Sequence, residues 1–161
     1  MQNKNGADNY MLSSLVAVFS KSGHTKSIAE FISHEINAPV HQIITEKKYP
    51  STYIMTILES RKEFKHNELP ALTSEPVPNF ADYQRIILGF PVWFFTCPMA
   101  VASWLKQYEF SGKEIYPFCT SGGSNCVKAT AKIRELCPGA TVHDGIRITK
   151  IDSALVSDWL K

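Results

Sequence analysis

The stretch that decides the fold is LVAVFSKSGHT, residues 15–25. It begins with five apolar residues, Leu15 to Phe19, a run typical of a strand that is buried on both faces, as in parallel sheets. A polar turn follows, and apolar residues then recur at helical spacing between Ile28 and Ile36. The order strand, polar loop, helix predicts the first unit of an α/β fold.

The same order repeats along the rest of the chain. Apolar runs at residues 40–44, 85–90 and 115–119 predict three further strands, and a weaker run at 142–148 predicts a fifth. Stretches with helical spacing follow the strands, and the last of these covers residues 152–160. Strands that alternate with helices predict βαβ units, and therefore a parallel sheet with helices on both faces.

Length and charge limit the kinds of protein this can be. The 161 residues suit one domain, which we place at 15–161, after a polar and aperiodic segment at 1–14 that we predict to be a mobile leader. The formal net charge of +2 is too small for a nucleic-acid-binding surface. No apolar run approaches the roughly 18 residues of a membrane span, and no secretory signal is recognisable. We therefore predict a cytoplasmic protein with no nucleic-acid or membrane partner.

The four cysteines give no sign of a metal or redox centre. Cys97, Cys119, Cys126 and Cys137 form no C-x-x-C pair, and no histidine is spaced to complete a zinc site. We predict reduced thiols, no bound metal, and no role for Cys97 or Cys119. A cysteine-dependent phosphatase is disfavoured, because Arg134 lies eight residues after Cys126 and inside a predicted helix.

The first of three notable loops, residues 20–25, lies between the first strand and the first helix. In open α/β sheets, ligands bind beyond the carboxyl ends of strands where the winding direction reverses, so such loops are candidate sites. This loop offers hydroxyl groups, one glycine and backbone N–H groups at a helix start, which suit a phosphate group. It matches neither the dinucleotide nor the nucleoside-triphosphate glycine motif. A simple helix cap by Ser22 or Thr25 is the alternative.

The other two loops follow the third and fourth strands. Trp93, Phe94 and Phe95 are consecutive in residues 91–97, so at least one ring should be exposed unless a flat ligand covers it. The alternative is that all three rings pack under a neighbouring loop. Residues 120–124, TSGGS, allow a ligand to approach the backbone closely, although they also suit an ordinary turn.

Together these loops resemble those of the flavodoxin family. The matching stretches are Phe19 to Thr25, Gly89 to Pro98 and Pro117 to Ser124, and weaker similarity extends over nearly all of 15–160. The resemblance implies a doubly wound five-stranded parallel sheet in the order 2-1-3-4-5, for which flavodoxin is itself the standard example, with FMN at the switch point. The residues that it implies around FMN are Ser20, Lys21, Ser22, Gly23, His24 and Thr25 at the phosphate, Pro91, Val92, Trp93, Phe94 and Phe95 beside the isoalloxazine, and Thr120, Ser121, Gly122 and Gly123 at its far edge.

Three functions stay open at this point. The resemblance implies electron transfer through FMN with donor and acceptor proteins, or reduction of a small acceptor such as a quinone. The family's shuttles are typically strongly acidic, whereas this chain has a charge of +2, which disfavours a dedicated shuttle. The alternative is a binding module that has lost FMN and takes another phosphorylated ligand or a protein. His24, where the family commonly has Asn, and Phe95, where relatives often have Gly, motivate that alternative.

Overall fold

The computed structural model describes residues 13–161, and these form one parallel sheet covered by helices. The neighbours in the sheet run β2-β1-β3-β4-β5, and β6 also pairs with β4. Every pairing between these strands is parallel, and the neighbours confirm the predicted order 2-1-3-4-5. The strands are β1 (Ser14–Val18), β2 (Val40–Gln42), β3 (Arg85–Pro91), β4 (Glu114–Thr120), β5 (Thr141–Val142) and β6 (Ile146–Arg147).

Five helices cover the two faces of the sheet, as predicted. They are α1 (His24–Ile36), α2 (Tyr53–His66), α3 (Met99–Leu105), α4 (Val127–Leu136) and α5 (Ser153–Trp159). Alternate residues of β1 belong to different apolar clusters: Leu15 and Ala17 pack with α3 and α4, whereas Val16 and Val18 pack with α1 and α5. This alternation follows from the two-residue period of a strand.

The fifth position in the sheet contains two short strands instead of the single strand predicted at 142–148. On the side of β4 that faces β5 and β6, the carbonyls of Ile115 and Cys119 each accept a hydrogen bond of 2.9 Å. Pro117 lies midway between them and therefore faces the same side. Because proline has no N–H to donate, the ladder is interrupted opposite Pro117, and β5 and β6 pair on either side of the gap.

The sheet begins slightly earlier than the predicted domain. β1 starts at Ser14, and the Ser13 carbonyl accepts hydrogen bonds from the N–H groups of Gln84 and Arg85. β1 thus begins one residue before the predicted domain, and the remainder of the predicted leader, residues 1–12, lies outside the described part of the chain. Across residues 13–161, no helix has the length and apolar character needed to cross a membrane.

Candidate functional site

A cleft of about 710 Å³ opens at the carboxyl ends of β1, β3 and β4. The chain leaves β1 toward β2 on one side and returns to β3 on the other, so the cleft lies at the switch point of the sheet. Eleven of the fifteen predicted residues line it. They are Lys21, Ser22, His24 and Thr25 of the first loop, Pro91, Val92 and Trp93 of the second, and Thr120, Ser121, Gly122 and Gly123 of the third.

Within the first loop, Gly23 is the N-cap residue of α1, and its φ is 91°. Glycine adopts this left-handed conformation without the steric cost that other residues incur. Ser20 Oγ accepts a hydrogen bond from the Gly23 N–H at 3.1 Å. Among the described residues, no side chain caps α1 and no acidic residue lies in its first turn, so neither Ser22 nor Thr25 is a cap. The open N–H groups and the helix dipole therefore suit a phosphate group.

Direct contacts fix the third loop relative to the first. The hydroxyls of Thr25 and Thr120, both buried, share a hydrogen bond of 2.7 Å. The Arg147 guanidinium donates to both Ser121 O and Ser121 Oγ at 3.0 Å. Two walls of the cleft are thus held in place by protein contacts alone, as is usual for pockets that bind cofactors.

Trp93 forms the aromatic wall of the cleft. Its ring lies edge-on to those of Phe19 and Tyr49, with centroid distances of 5.3 and 4.8 Å, and the residue is only 4% exposed. Contacts on two sides hold the indole in one orientation. The indole lies in the same cleft as the uncapped amino end of α1. This arrangement suits a ligand with a flat ring and a phosphate group.

Phe94 and Phe95, which were predicted to lie beside the isoalloxazine, do not line this cleft. Reciprocal backbone hydrogen bonds between Trp93 and Thr96, at 3.0 and 3.2 Å, close a two-residue turn. Phe94 and Phe95 are its central residues, with φ of 50° and 64°. This pattern of two positive φ angles is that of a type I′ turn, which usually contains Asn and Gly. The turn places both rings in a neighbouring cleft, where Phe95 is 63% exposed.

The remaining two predicted residues support the cleft without lining it. Ser20 and Gly23 interact with each other, as described, and Ser20 lines a separate cleft beyond β1 and β2. Sequence reasoning missed four lining residues, which are Ser51, Tyr53, Thr56 and Ser124. Three of these lie where α2 begins, after β2. Loops that follow parallel strands share one edge of the sheet. This rule could have identified the segment after β2 as part of the cleft.

Cys119 and Cys126 form a disulfide, so the prediction that all four cysteines are reduced is wrong. Cys119 lies in β4 and Cys126 is the N-cap residue of α4. The chain folds back between them and brings their Cα atoms to 6.1 Å, within the range that a disulfide spans. Their spacing matches no known cysteine motif, and only the fold brings them together. The bridge encloses residues 120–125, which contain the third loop.

The other two cysteines are buried thiols. Burial raises the pKa of the Cys97 thiol to about 12 and that of Cys137 to about 11. Neither is therefore a reactive thiolate near neutral pH. Within residues 13–161, no three His, Cys, Asp or Glu side chains are grouped as ligands for a metal ion.

A charge network around the buried Glu63 supports the side of Trp93 that faces away from the cleft. The Lys47 ammonium pairs with Glu59 at 2.8 Å and also with Glu63, which is 0% exposed. The Tyr49 hydroxyl donates to both carboxylate oxygens of Glu63 at 3.1 Å. Burial raises the pKa of the Glu63 carboxyl, and burial together with the Glu63 charge raises the pKa of Tyr49. Since Tyr49 touches Trp93, this network fixes the position of the cleft wall.

The fold and the cleft together define a doubly wound α/β protein with a pocket for a phosphorylated, ring-containing ligand at its switch point. The sequence model of flavodoxin matches residues 13–161, and the chain belongs to the flavodoxin family. No curated protein sequence matches the chain at a significant level.

Solved structures share this fold over nearly the whole chain. A flavoprotein from Lactobacillus acidophilus NCFM, crystallised in complex with FMN, is 24% identical with a TM-score of 0.78, over 92% of this chain and 99% of that one. The apo-form of the flavoprotein from the same organism, solved by NMR, is 22% identical with a TM-score of 0.68, over 91% and 96% of the two chains. A candidate flavoprotein from Bacteroides eggerthii is 22% identical with a TM-score of 0.78, over 92% and 95%.

Proposed function

We propose that the protein binds one FMN in the switch-point cleft and uses it to pass electrons from a donor to an acceptor. The observation that carries this proposal is the convergence of the three loops on one cleft, which combines an open helix start with a fixed indole. Family membership and the FMN complex of a structural relative support it. Bound FMN supplies the redox chemistry, and the protein supplies binding and orientation.

Each loop has a distinct part in this proposal. The phosphate lies at the amino end of α1, near the hydroxyls of Ser22 and Thr25. The isoalloxazine lies against Trp93, and the small residues from Thr120 to Gly123 approach its far edge. The donor and acceptor are redox proteins or a small acceptor such as a quinone. A cytoplasmic location remains a prediction from the sequence.

The competing proposal, a binding module that has lost FMN, rests on His24 and Phe95. His24 lines the cleft at the start of α1, where an imidazole N–H can donate to a phosphate group. Phe95 points into a different cleft, so its side chain does not occupy the space assigned to the flavin. Neither substitution therefore argues against FMN.

The phosphate assignment can be tested by comparing FMN with riboflavin, which lacks the phosphate. We expect the FMN-free protein to bind FMN more tightly than riboflavin by at least roughly tenfold, because charge-assisted hydrogen bonds contribute to FMN alone. Ser22→Asp places a negative charge in the phosphate loop and should remove most of this preference.

Ser157→Asp is the matched control, because Ser157 is exposed on α5 beside Arg85, at the amino edge of the sheet. It should leave both affinities unchanged. Fluorescence titration of the three proteins with each flavin measures six dissociation constants. Equal affinities for FMN and riboflavin in the wild type would contradict the phosphate assignment, and no binding of either would contradict the proposed function.

A further inference from the structure

The turn at residues 93–96 separates the FMN cleft from a second cleft. Trp93 lines the first, whereas Phe94, Phe95 and Thr96 line the second, which has a volume of about 410 Å³. This volume suits a small ligand of one or two fused rings. The remaining walls are formed by Phe64 of α2 and by Lys128, Ala131, Lys132 and Glu135 of α4.

Aromatic side chains of the second cleft are held open to solvent by a costly backbone conformation. Phe94 and Phe95 both have positive φ, although an Asn-Gly turn of the same shape would avoid that cost. The Phe94 ring packs against Phe64 at 5.7 Å, while Phe95 is 63% exposed. Backbone outliers of this kind are concentrated at functional sites.

Positively charged side chains lie close to these two rings. The Lys128 ammonium lies 5.5 Å from the centre of the Phe95 ring, and the Arg61 guanidinium lies 5.7 Å from that of Phe94. Lys132 lies on the same wall, 3.9 Å from Glu135, the one carboxylate among the lining residues. Among the lining residues, Lys128 and Lys132 outnumber the carboxylate of Glu135, and the Arg61 guanidinium adds a further positive charge beside Phe94. The second cleft is therefore complementary to an anion.

We propose that the second cleft binds a planar aromatic anion, namely a ring system that carries a sulfonate or carboxylate group. The ring stacks on Phe95, and the anionic group lies between Lys128 and Lys132. This site is separate from the FMN cleft and does not depend on FMN being bound.

The test compares naphthalene-2-sulfonate with naphthalene-2-sulfonamide, a neutral probe of nearly the same shape. Calorimetry should show the sulfonate binding roughly tenfold more tightly than the sulfonamide, with and without saturating FMN. In ¹⁵N-labelled protein, the amide signals that shift should belong to residues 93–96 and 128–132. If FMN itself does not bind, the same titration on the FMN-free protein still tests this site.

Three variants separate charge from ring stacking. Lys128→Glu/Lys132→Glu should weaken sulfonate binding about tenfold, and Phe95→Gly should weaken both probes. Lys106→Glu is the charge control, because Lys106 follows α3 at the opposite edge of the sheet and should have no effect.

Several results would overturn the proposal. These are equal affinity for the two probes, competition between the sulfonate and FMN, and amide shifts confined to the residues of the FMN cleft. Tighter binding of poly-glutamate that is insensitive to Phe95→Gly would instead indicate an acidic protein as the partner.

Discussion

At the scale of single residues, Gly23 determines how α1 begins. Its φ of 91° costs an L-residue about 1–2 kcal/mol. Gly23→Ala should therefore lower the free energy of unfolding by about 1 kcal/mol in urea denaturation. Gly122→Ala is the matched control, because an added Cβ there meets nothing within 4 Å and no positive φ is involved. Similar urea midpoints for the wild type and Gly23→Ala would contradict this view of the loop.

At Phe95 we expect glycine to have the opposite effect on the free energy of unfolding. With φ of 64° and 63% exposure, its side chain gains little from burial while its backbone is strained. Phe95→Gly should raise the free energy of unfolding by about 0.5–1 kcal/mol, after allowance for the greater entropy of glycine in the unfolded chain. Phe95→Ala keeps a Cβ at the same φ and should give no such gain. If both variants were equally stable, the left-handed backbone would not be the cause.

At the scale of elements, the Cys119–Cys126 bridge joins the end of β4 to the start of α4. Closing a loop of this length restricts the unfolded chain and contributes roughly 2 kcal/mol. Cys119→Ala/Cys126→Ala should lose about that amount in urea denaturation, and dithiothreitol should then have no further effect. Cys97→Ala keeps the bridge, so dithiothreitol should still destabilise it. If dithiothreitol did not change the stability of the wild type in urea, the result would contradict the presence of the bridge.

Helix α2 buries Thr56, Ser60 and Glu63, while Ile54 is 72% exposed. Because burial raises the pKa of Glu63, the folded protein holds this proton more strongly than the unfolded chain does. The stability of the wild type relative to Glu63→Gln should therefore fall as pH rises from the ordinary pKa of a glutamate toward the higher folded value. Urea denaturation of the two proteins between pH 4 and about 7 measures this difference. A difference that rises with pH would contradict it.

At the scale of the whole molecule, the apolar pattern was sufficient to predict a parallel sheet, and the resemblance to flavodoxins supplied the sheet order and the location of the cleft. Buried parallel strands form continuous apolar runs, such as Leu15 to Phe19, and these can be recognised without knowing the neighbours. Once the strands are parallel, their carboxyl ends must share one edge. The loops at 20–25, 91–93 and 120–123 therefore lie at one edge, and they meet in one cleft because β1, β3 and β4 are neighbours in the sheet.

The features that were missed depend on contacts and backbone angles that the apolar pattern does not encode. The apolar residues of α2 do not mark its buried face, because Ile54 and Leu58 are exposed while Thr56, Ser60 and Glu63 are buried. Glu63 pairs with Lys47, which lies outside the helix. The disulfide and the gap opposite Pro117 likewise require knowledge of which elements are neighbours. The direction of the Phe94–Phe95 turn depends on backbone angles that these residues rarely adopt.

The most direct test of the central claim is an absorption spectrum of the purified protein, recorded after incubation with FMN and removal of the excess by gel filtration. The account predicts flavin bands that correspond to about one FMN per chain, as one cleft would hold. These bands should bleach on reduction with dithionite and return when an acceptor is added. A protein that retains no flavin after this treatment would contradict the claim and would favour the binding module instead.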